Sequence, residues 1–240
     1  MAALTTDTFF NGRIRVKQPR GGYRFSVDAV ILADYVRPQM EGTVVDLGTG
    51  CGIIPLILAY RNPGLKIIGI EVQSELADIA LANVADNHMQ DRIKIHCADI
   101  KTHGHNMISA PVDMVVSNPP YRKTHAGRIN PDRQRAIARH EIKATLLDVI
   151  NAAHRMVRTG GKFVTVYTAE RTTEILLEMR SAGIEPKFYR MIHSGRNTEA
   201  KMILLEGIKG GQPGSKIAPP LFVYHEDGNY TTEVEMMFKP

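Results

Sequence analysis

Residues 43–52, Thr-Val-Val-Asp-Leu-Gly-Thr-Gly-Cys-Gly (TVVDLGTGCG), decide the fold. A β-branched run ends on an acid, Asp46, and three glycines follow at alternate positions, Gly48, Gly50 and Gly52, directly before the apolar run IIPLILAY. That order reads as a strand, a tight turn and a helix. Glycine at such a turn lets the backbone bend sharply and come close to a ligand that a Cβ would exclude. The spacing here is G-x-G-x-G, whereas the dinucleotide fingerprint is G-x-G-x-x-G, so the turn points to a ligand with no pyrophosphate to cradle at the helix start.

Working outward, short β-branched runs alternate with helix-period segments: LKIIGIE, then a helix from Ser74 to about Met89, then RIKIH and VDMVVS as further strands. This is the β-α-β-α order of a parallel sheet with helices on both faces, an α/β fold. VDMVVS is nearly continuous in apolar residues, as expected of a strand buried on both faces. In the Ser74 helix Leu76, Ile79, Ala80, Asn83, Val84 and Asn87 recur at spacings of three and four, and Ser74 is its expected N-cap. Further on, Glu141–Arg158 reads as a helix ended by Gly160-Gly161, KFVTVYT as a strand, and Ala169–Ala182 as a helix stopped by Gly183. Lys187–Ile192 and Ala200–Glu206 are two more strands. Beyond them LFVY and the alternating YTTEVEMMF predict a late two-stranded hairpin. The organisation expected is one domain over 1–240, with a cap segment at 1–40, a catalytic core at 41–207 and a C-terminal extension at 208–240.

Two further acids extend the glycine turn into a row. Glu71 ends the second strand of the alternation, where a carboxylate can accept from both ribose hydroxyls, and Asp99 follows the third, where one can accept from an adenine amino group. Together with Asp46 they make a nucleoside-binding set, although Asp99 alone could be a helix N-cap. The fourth strand ends in Ser117-Asn118-Pro119-Pro120-Tyr121. Proline fixes its own φ and pushes the residue before it toward extended geometry, so the loop is stiff by construction. Neither Pro119 nor Pro120 has an N–H, so the loop presents carbonyl acceptors and the Asn118 side-chain oxygen, a set suited to a conjugated –NH₂. Tyr121 adds a π-face for a planar group.

The chain-wide numbers set bounds. A chain of 240 residues, 43% apolar, can bury one substantial core. No run of eighteen apolar residues occurs and the N-terminal stretch lacks the order of a secretion signal, so no membrane insertion or export is expected and the location expected is cytoplasmic. With only Cys51 and Cys97, no disulfide framework is implied. His96, Cys97, Asp99, His103 and His105 match no standard zinc spacing, so no metal is expected. The formal charge of +5 is modest; its placement says more. Arg122, Lys123, Arg128, Arg133, Arg135 and Arg139 stand against one acid, Asp132, between Tyr121 and Glu141, beside the amine site, where a polynucleotide would bring its phosphates. Arg15, Lys17 and Arg20 could extend that surface. The plain alternative is a solvated basic loop.

These motifs resemble the Rossmann-like S-adenosylmethionine-dependent methyltransferases in their N-P-P-Y branch, and within it the bacterial valine-tRNA adenine-N6 methyltransferases. GGYRFSVDAVILADY, VVDLGTGCGIIPL, NPPYRK, ARHE and HSGRNTEAKMILLE carry the resemblance over nearly the whole chain. It implies a seven-stranded, mostly parallel sheet with one antiparallel strand, S-adenosylmethionine as cofactor, and tRNA, by this similarity valine tRNA, as substrate. It also implies contacts from Asp46, Gly48 and Gly50 to the methionine part, from Glu71 to the ribose, from Asp99 to the adenine, and from Asn118, Pro119, Pro120 and Tyr121 to the target amine and base, with Asn118 also bordering the cofactor. The segment Tyr23–Tyr35 resembles the family's cofactor-closing motif, which makes Phe25, Ser26 and Asp28 candidates, though an ordinary helix capped by Ser26 explains it equally. The rival readings are a protein glutamine N5-methyltransferase acting on release factors and a non-catalytic RNA-binding protein of the same fold. The short segment before Thr43 and the basic loop disfavour the first, and the intact acidic row disfavours the second. No protein partner is called for.

Overall fold

A computed structural model describes residues 3–21, 26–36, 41–102, 108–119 and 144–240. The strands β1 (Leu4–Phe9) and β2 (Ile14–Pro19) form an antiparallel hairpin, and α1 (Val27–Tyr35) follows. The alternation then runs β3 (Gly42–Leu47), α2 (Ile53–Arg61), β4 (Leu65–Glu71), α3 (Ser74–Asp86), β5 (Ile93–Cys97), β6 (Val112–Ser117), α4 (Leu146–Met156), β7 (Val157–Thr168), a 3-10 turn at Ala169–Arg171, α5 (Thr172–Ser181), β8 (Ile184–His193) and β9 (Ala200–Lys209). Two short strands, β10 (Lys216–Ile217) and β11 (Leu221–Phe222), and the helix α6 (Thr232–Met236) complete it.

The main sheet has the order β8-β9-β7-β6-β3-β4-β5, with β9 antiparallel to both neighbours and every other long-strand pair parallel. That is the seven-stranded arrangement the resemblance implies. β10 and β11 add to it, both pairing in parallel with β8 and covering the outer edge that an unpaired strand would expose. From β3 the chain steps to β4 and β5 on one side and then to β6 and β7 on the other. The carboxyl ends of β3 and β6 therefore flank the point where strand order reverses, the usual place for a ligand crevice.

Successive strand residues serve two cores. Val44, Ile67, Met114 and Val116 pack with α1, α2 and α3 on one face, and Val45, Ile70, Val115 and Phe163 pack with α4 and α5 on the other. This two-sided burial explains why the strands read as continuous apolar runs. α2 is buried from Ile53 through Ala59, because the sheet covers one side and β2 and α1 approach the others. Its Pro55 sits in the first turn, where no intrahelical N–H is needed. α4 starts on a capping box: the Thr145 hydroxyl accepts from the Asp148 N–H and the Asp148 carboxylate accepts from the Thr145 N–H.

Expectations are corrected at four places. The helix α4 ends at Met156, and Gly160-Gly161 lie inside β7 instead of ending that helix. The N-terminal segment carries a hairpin that periodicity did not single out. The YTTEVEMMF stretch is not a strand: Thr231 caps α6, Val234 and Met237 turn inward, and pairing of this region with LFVY shrinks to a single bridge between Tyr224 and Tyr230. Neither Ser26 nor Ser74 caps its helix through the side chain; Gln73 is the N-cap of α3 and the Ser26 hydroxyl bonds Asp28.

Asn83 of α3 and Asn87, which caps the helix's carboxyl end, attach the hairpin. The Asn83 amide accepts from the Lys17 N–H (2.8 Å) and donates to the Lys17 carbonyl (2.8 Å) and the Cys51 carbonyl (2.9 Å), while Asn87 makes the matching pair with Arg15 (2.9 and 2.7 Å). These side chains act toward β2 as a neighbouring strand would. Asn83 is fully buried, so truncating it strands the polar groups of β2 away from water. Asn83→Ala is expected to lower unfolding stability by about 2–3 kcal/mol, and the same change at half-buried Asn87 by less, as read by denaturant unfolding.

Candidate active site

The carboxyl ends of β3, β4, β5 and β6 open into one cavity, about 700 Å³ of space counting its opening to solvent, lined among others by Gly48, Gly50, Glu71, Asp99, Asn118 and Pro119. Six residues singled out from sequence thus meet in one place. The turn after β3 is built by conformation. Gly48 has φ +74°, and a Cβ there would meet no atom within 4 Å, so its glycine requirement is the left-handed backbone itself. The Gly48 and Thr49 N–H groups both donate to the Ile70 carbonyl, which tucks the turn against β4.

Gly52 does not line this cavity. It has φ +85° as N-cap of α2, and an added Cβ would lie 3.3 Å from the Cβ of Ala80, so it serves the packing of α2 on α3. Asp28 also lies apart from the lining residues and accepts from Ser26 Oγ at 2.7 Å. Phe25, Pro120, Tyr121 and the six basic residues Arg122, Lys123, Arg128, Arg133, Arg135 and Arg139 lie outside the described residues. The described chain leaves the cavity at Pro119 and re-enters it at Ala144.

Electrostatics distinguish the acids. Glu71 is buried and its two oxygens accept from the Gly50 N–H (3.0 Å) and the Gln73 N–H (2.9 Å). Burial raises its carboxyl above the ordinary range, and those backbone donors oppose the rise. Asp46 lies fully buried beneath the turn, and neither carboxylate oxygen nor the Thr49 hydroxyl completes a hydrogen bond of standard geometry. Burial pushes its carboxyl up to about 7; nearby Thr49 opposes the rise and the Glu71 charge adds to it. Asp99 is more open, accepting from the Lys101 N–H at 2.9 Å with the Lys101 ammonium 3.9 Å away. Glu71 and the more open Asp99 line a cavity with apolar walls, while Asp46 lies beneath the glycine turn and outside the lining residues; desolvated acids so placed suit a ligand that carries positive charge and several hydroxyl or amino donors. The orphaned oxygens of Asp46 are the most direct sign of it.

Sequence reasoning missed the walls and the anchor. Leu76, Ile100 and Val149 line the cavity but carry no motif, since an apolar residue announces burial and not the thing it is buried against. Ser117, fully buried, donates its hydroxyl to the Leu47 carbonyl at 2.8 Å, tying the last rung of β6 to the start of the glycine turn. Pro119, two residues on, has no N–H with which to extend the ladder. A small hydroxyl just before N-P-P was the available signal.

The methyltransferase small domain family matches residues 24–184. A protein of Porphyromonas gingivalis called tRNA1(Val) (adenine(37)-N6)-methyltransferase is 31% identical over 83% of this chain and 77% of its own. Its counterpart in another strain of that species is 28% identical over 99% and 95%, and one of Aeromonas hydrophila is 26% identical over 95% and 94%. Among solved structures, a predicted O-methyltransferase from Agrobacterium tumefaciens superimposes with a TM-score of 0.70 at 21% identity, covering 88% of this chain and 94% of that one. A tRNA methyltransferase from M. jannaschii gives 0.61 at 15%, covering 88% and 58%. At such identities the structures speak for the fold. The chain belongs to the methyltransferase small domain family: it is a Rossmann-like α/β methyltransferase whose cofactor is S-adenosylmethionine.

Proposed function

We propose that this chain methylates the exocyclic N6 amine of an adenine in tRNA, and that the target is the adenine at position 37 of a valine tRNA, as the names of its relatives have it. One observation carries the reading: Asn118 and Pro119 line the same cavity as Glu71 and Asp99, so an amine-accepting loop shares a wall with a nucleoside-binding row. In this reading one domain does the work, with 41–207 as the catalytic core, 1–40 as a cap segment and 208–240 as a C-terminal extension.

The residues have separable tasks. Asp46, under the turn, offers negative charge to the cofactor's cationic end, and the backbone of Gly48 and Gly50 lies alongside its methionine part. Glu71 keeps lone pairs for the ribose hydroxyls beyond the two N–H groups it already accepts. Asp99 accepts from the adenine amino group, and Leu76, Ile100 and Val149 wall the ring. Gly52 sets the exit of the turn, and Phe25 and Asp28 belong to the segment that closes over the cofactor. When bound, the cofactor supplies an electrophilic methyl on a sulfonium.

The exocyclic amine of adenine is a poor nucleophile because its lone pair is delocalised. The Asn118 side-chain oxygen and the carbonyls of the N-P-P-Y loop accept its two hydrogens, bias the nitrogen toward a pyramidal form, and stabilise the positive charge that develops there. No strong general base is then required. Pro120 completes the stiff loop and Tyr121 stacks the base. Arg122, Lys123, Arg128, Arg133, Arg135 and Arg139 supply salt-sensitive contacts to phosphates. Because the target atom is hidden in stacked RNA, the base must come from a loop or be turned out of its stack.

Incubation with methyl-labelled S-adenosylmethionine and unmodified tRNA, digestion to nucleosides and mass spectrometry test the reading. Labelled N6-methyladenosine is expected, and no labelled nucleoside in the presence of cofactor binding would refute it. Asn118→Ala should leave cofactor affinity near normal and lower turnover about 100-fold or more; equal loss of both would contradict its role. For Asp46 the sign follows from a folded-state pKa raised from 3.8 to about 7. The stability this group contributes is fully present below about pH 4 and is lost as pH rises through 7. Without cofactor, Asp46→Asn should therefore be more stable than the parent at pH 8, by roughly 4 kcal/mol at most, yet bind S-adenosylmethionine more weakly. Thermal unfolding and calorimetry read the two opposed effects.

A further inference from the structure

A second opening lies on the same edge of the sheet. β9 is antiparallel to β7 and β8, so β8 runs with β6 and ends, at His193, on the side where Asn118 follows β6. Three strand spacings separate them, about 14 Å. There the turn after β8 and the C-terminal tail frame a groove of about 1980 Å³ of open space, lined by Arg196, Phe222 and Tyr224 among others.

Its floor is the end of an aromatic column. Phe9 of the hairpin stacks on Phe238 (5.9 Å, 11°), Phe238 on Tyr230 (5.4 Å, 18°), and Tyr230 on Tyr224 (5.2 Å, 15°). The first rings of this series are buried or partly buried, whereas Tyr224 is 38% exposed and borders the groove. Across the groove the Arg196 guanidinium lies over the Phe222 ring at 5.8 Å, and the His193 ring tilts against the same ring at 5.5 Å. The turn that carries Arg196 is braced: the Thr198 hydroxyl accepts from the Gly195 N–H and donates to the Gly195 carbonyl, and the Thr198 carbonyl accepts from His193 Nδ1. A planar, electron-poor heterocycle is the group that would extend such a column by one member.

The charge around it says what kind of contact this is. Glu226, Asp227 and Glu233 also line the groove. Glu233 is paired with Arg190, and Asp227 accepts from Asn229. A surface with these acids does not gather phosphates, so recognition there falls to stacking on ring faces.

We infer that this groove is a base-stacking subsite for the RNA substrate, taking a nucleobase that neighbours the methylated adenine onto Tyr224. The inference rests on the tRNA reading above and extends it to a second contact, separate from the methyl-transfer cavity. Among the described residues, the column reaches from the hairpin to this lip, so the stacking surface is preorganised and loses little freedom on binding.

The chain contains no tryptophan, so Tyr224→Trp places a single indole at the site. Titrating that variant with an unmodified tRNA transcript should quench its emission. Tyr224→Ala should raise the Kd for the transcript about tenfold with S-adenosylmethionine affinity unchanged, and the slope of log Kd against log salt should equal the parent's because no charge is removed. Tyr224→Phe should keep near-parental affinity, which separates stacking from loss of fold. Unquenched indole at saturating tRNA, with parental affinity in Tyr224→Ala, overturns the subsite while label transfer to adenine leaves the catalytic reading standing. Failure of the unsubstituted chain both to bind the transcript and to label it overturns the two together.

Discussion

Two carboxylates taken out of water at the ends of adjacent parallel strands set the terms for the rest of this structure. Burying a charge is costly unless hydrogen bonds or an opposite charge offset it. Glu71 meets that demand from within, through the N–H groups of Gly50 and Gln73, and this is why the turn after β3 must bend back toward β4. Asp46 does not, and its carboxyl is correspondingly held near 7. The glycine turn, the register of β3 with β4 and the tuck against the Ile70 carbonyl all follow from keeping these two groups close without letting solvent between them. A ligand that arrives with positive charge and donors relieves a cost already present in the fold, so part of its affinity is prepared before it binds.

The parallel sheet supplies the second constraint. Because β3 and β6 are neighbours while the chain winds away from β3 in both directions, their carboxyl ends share a crevice. Rigidity there comes from an exchange of donors. Where Pro119 removes an N–H from the edge of the ladder, the Ser117 hydroxyl bonds the Leu47 carbonyl instead. The loop that follows can then be poor in donors, as an amine substrate requires, without leaving a buried carbonyl unsatisfied.

What could be read from the sequence, and what could not, divides along the same physical line. The β-α alternation, the bounds of β6, the glycine turn and the acidic row are legible because each is a local pattern whose meaning does not depend on distant residues. The hairpin at Leu4–Pro19 was not, because its stability depends on Asn83 and Asn87, some 66 to 72 residues away, whose side chains pair with its backbone. Asn83 could be assigned to a packed face from its spacing, but nothing in the spacing says that its amide replaces a strand. The tail misled for a different reason. In YTTEVEMMF the apolar residues alternate, yet Val234 and Met237 are three apart, and the Thr231 cap together with burial against the hairpin's core selects the helix. Of the site, the polar members were legible and the apolar walls were not.

The tail also bears on how the flanking segments relate to the core. Residues 1–40 and 208–240 were set apart from the core in the sequence, but the column from Phe9 through Phe238 and Tyr230 to Tyr224 stacks one flank on the other. Arg61 of α2 joins them, bonding Asp34 in the last turn of α1 and the Met237 carbonyl beside α6. Offset-stacked rings contribute beyond their buried area, and a column of them transmits displacement because closely packed groups have nowhere to relax. The hairpin is thus held twice, by Asn83 and Asn87 at β2 and by ring stacking at Phe9, and the second hold ends at the groove on the sheet's carboxyl edge. A contact made at that groove acts on the same packed unit that supports α2 and α3, whose first turns follow the glycine turn and Glu71.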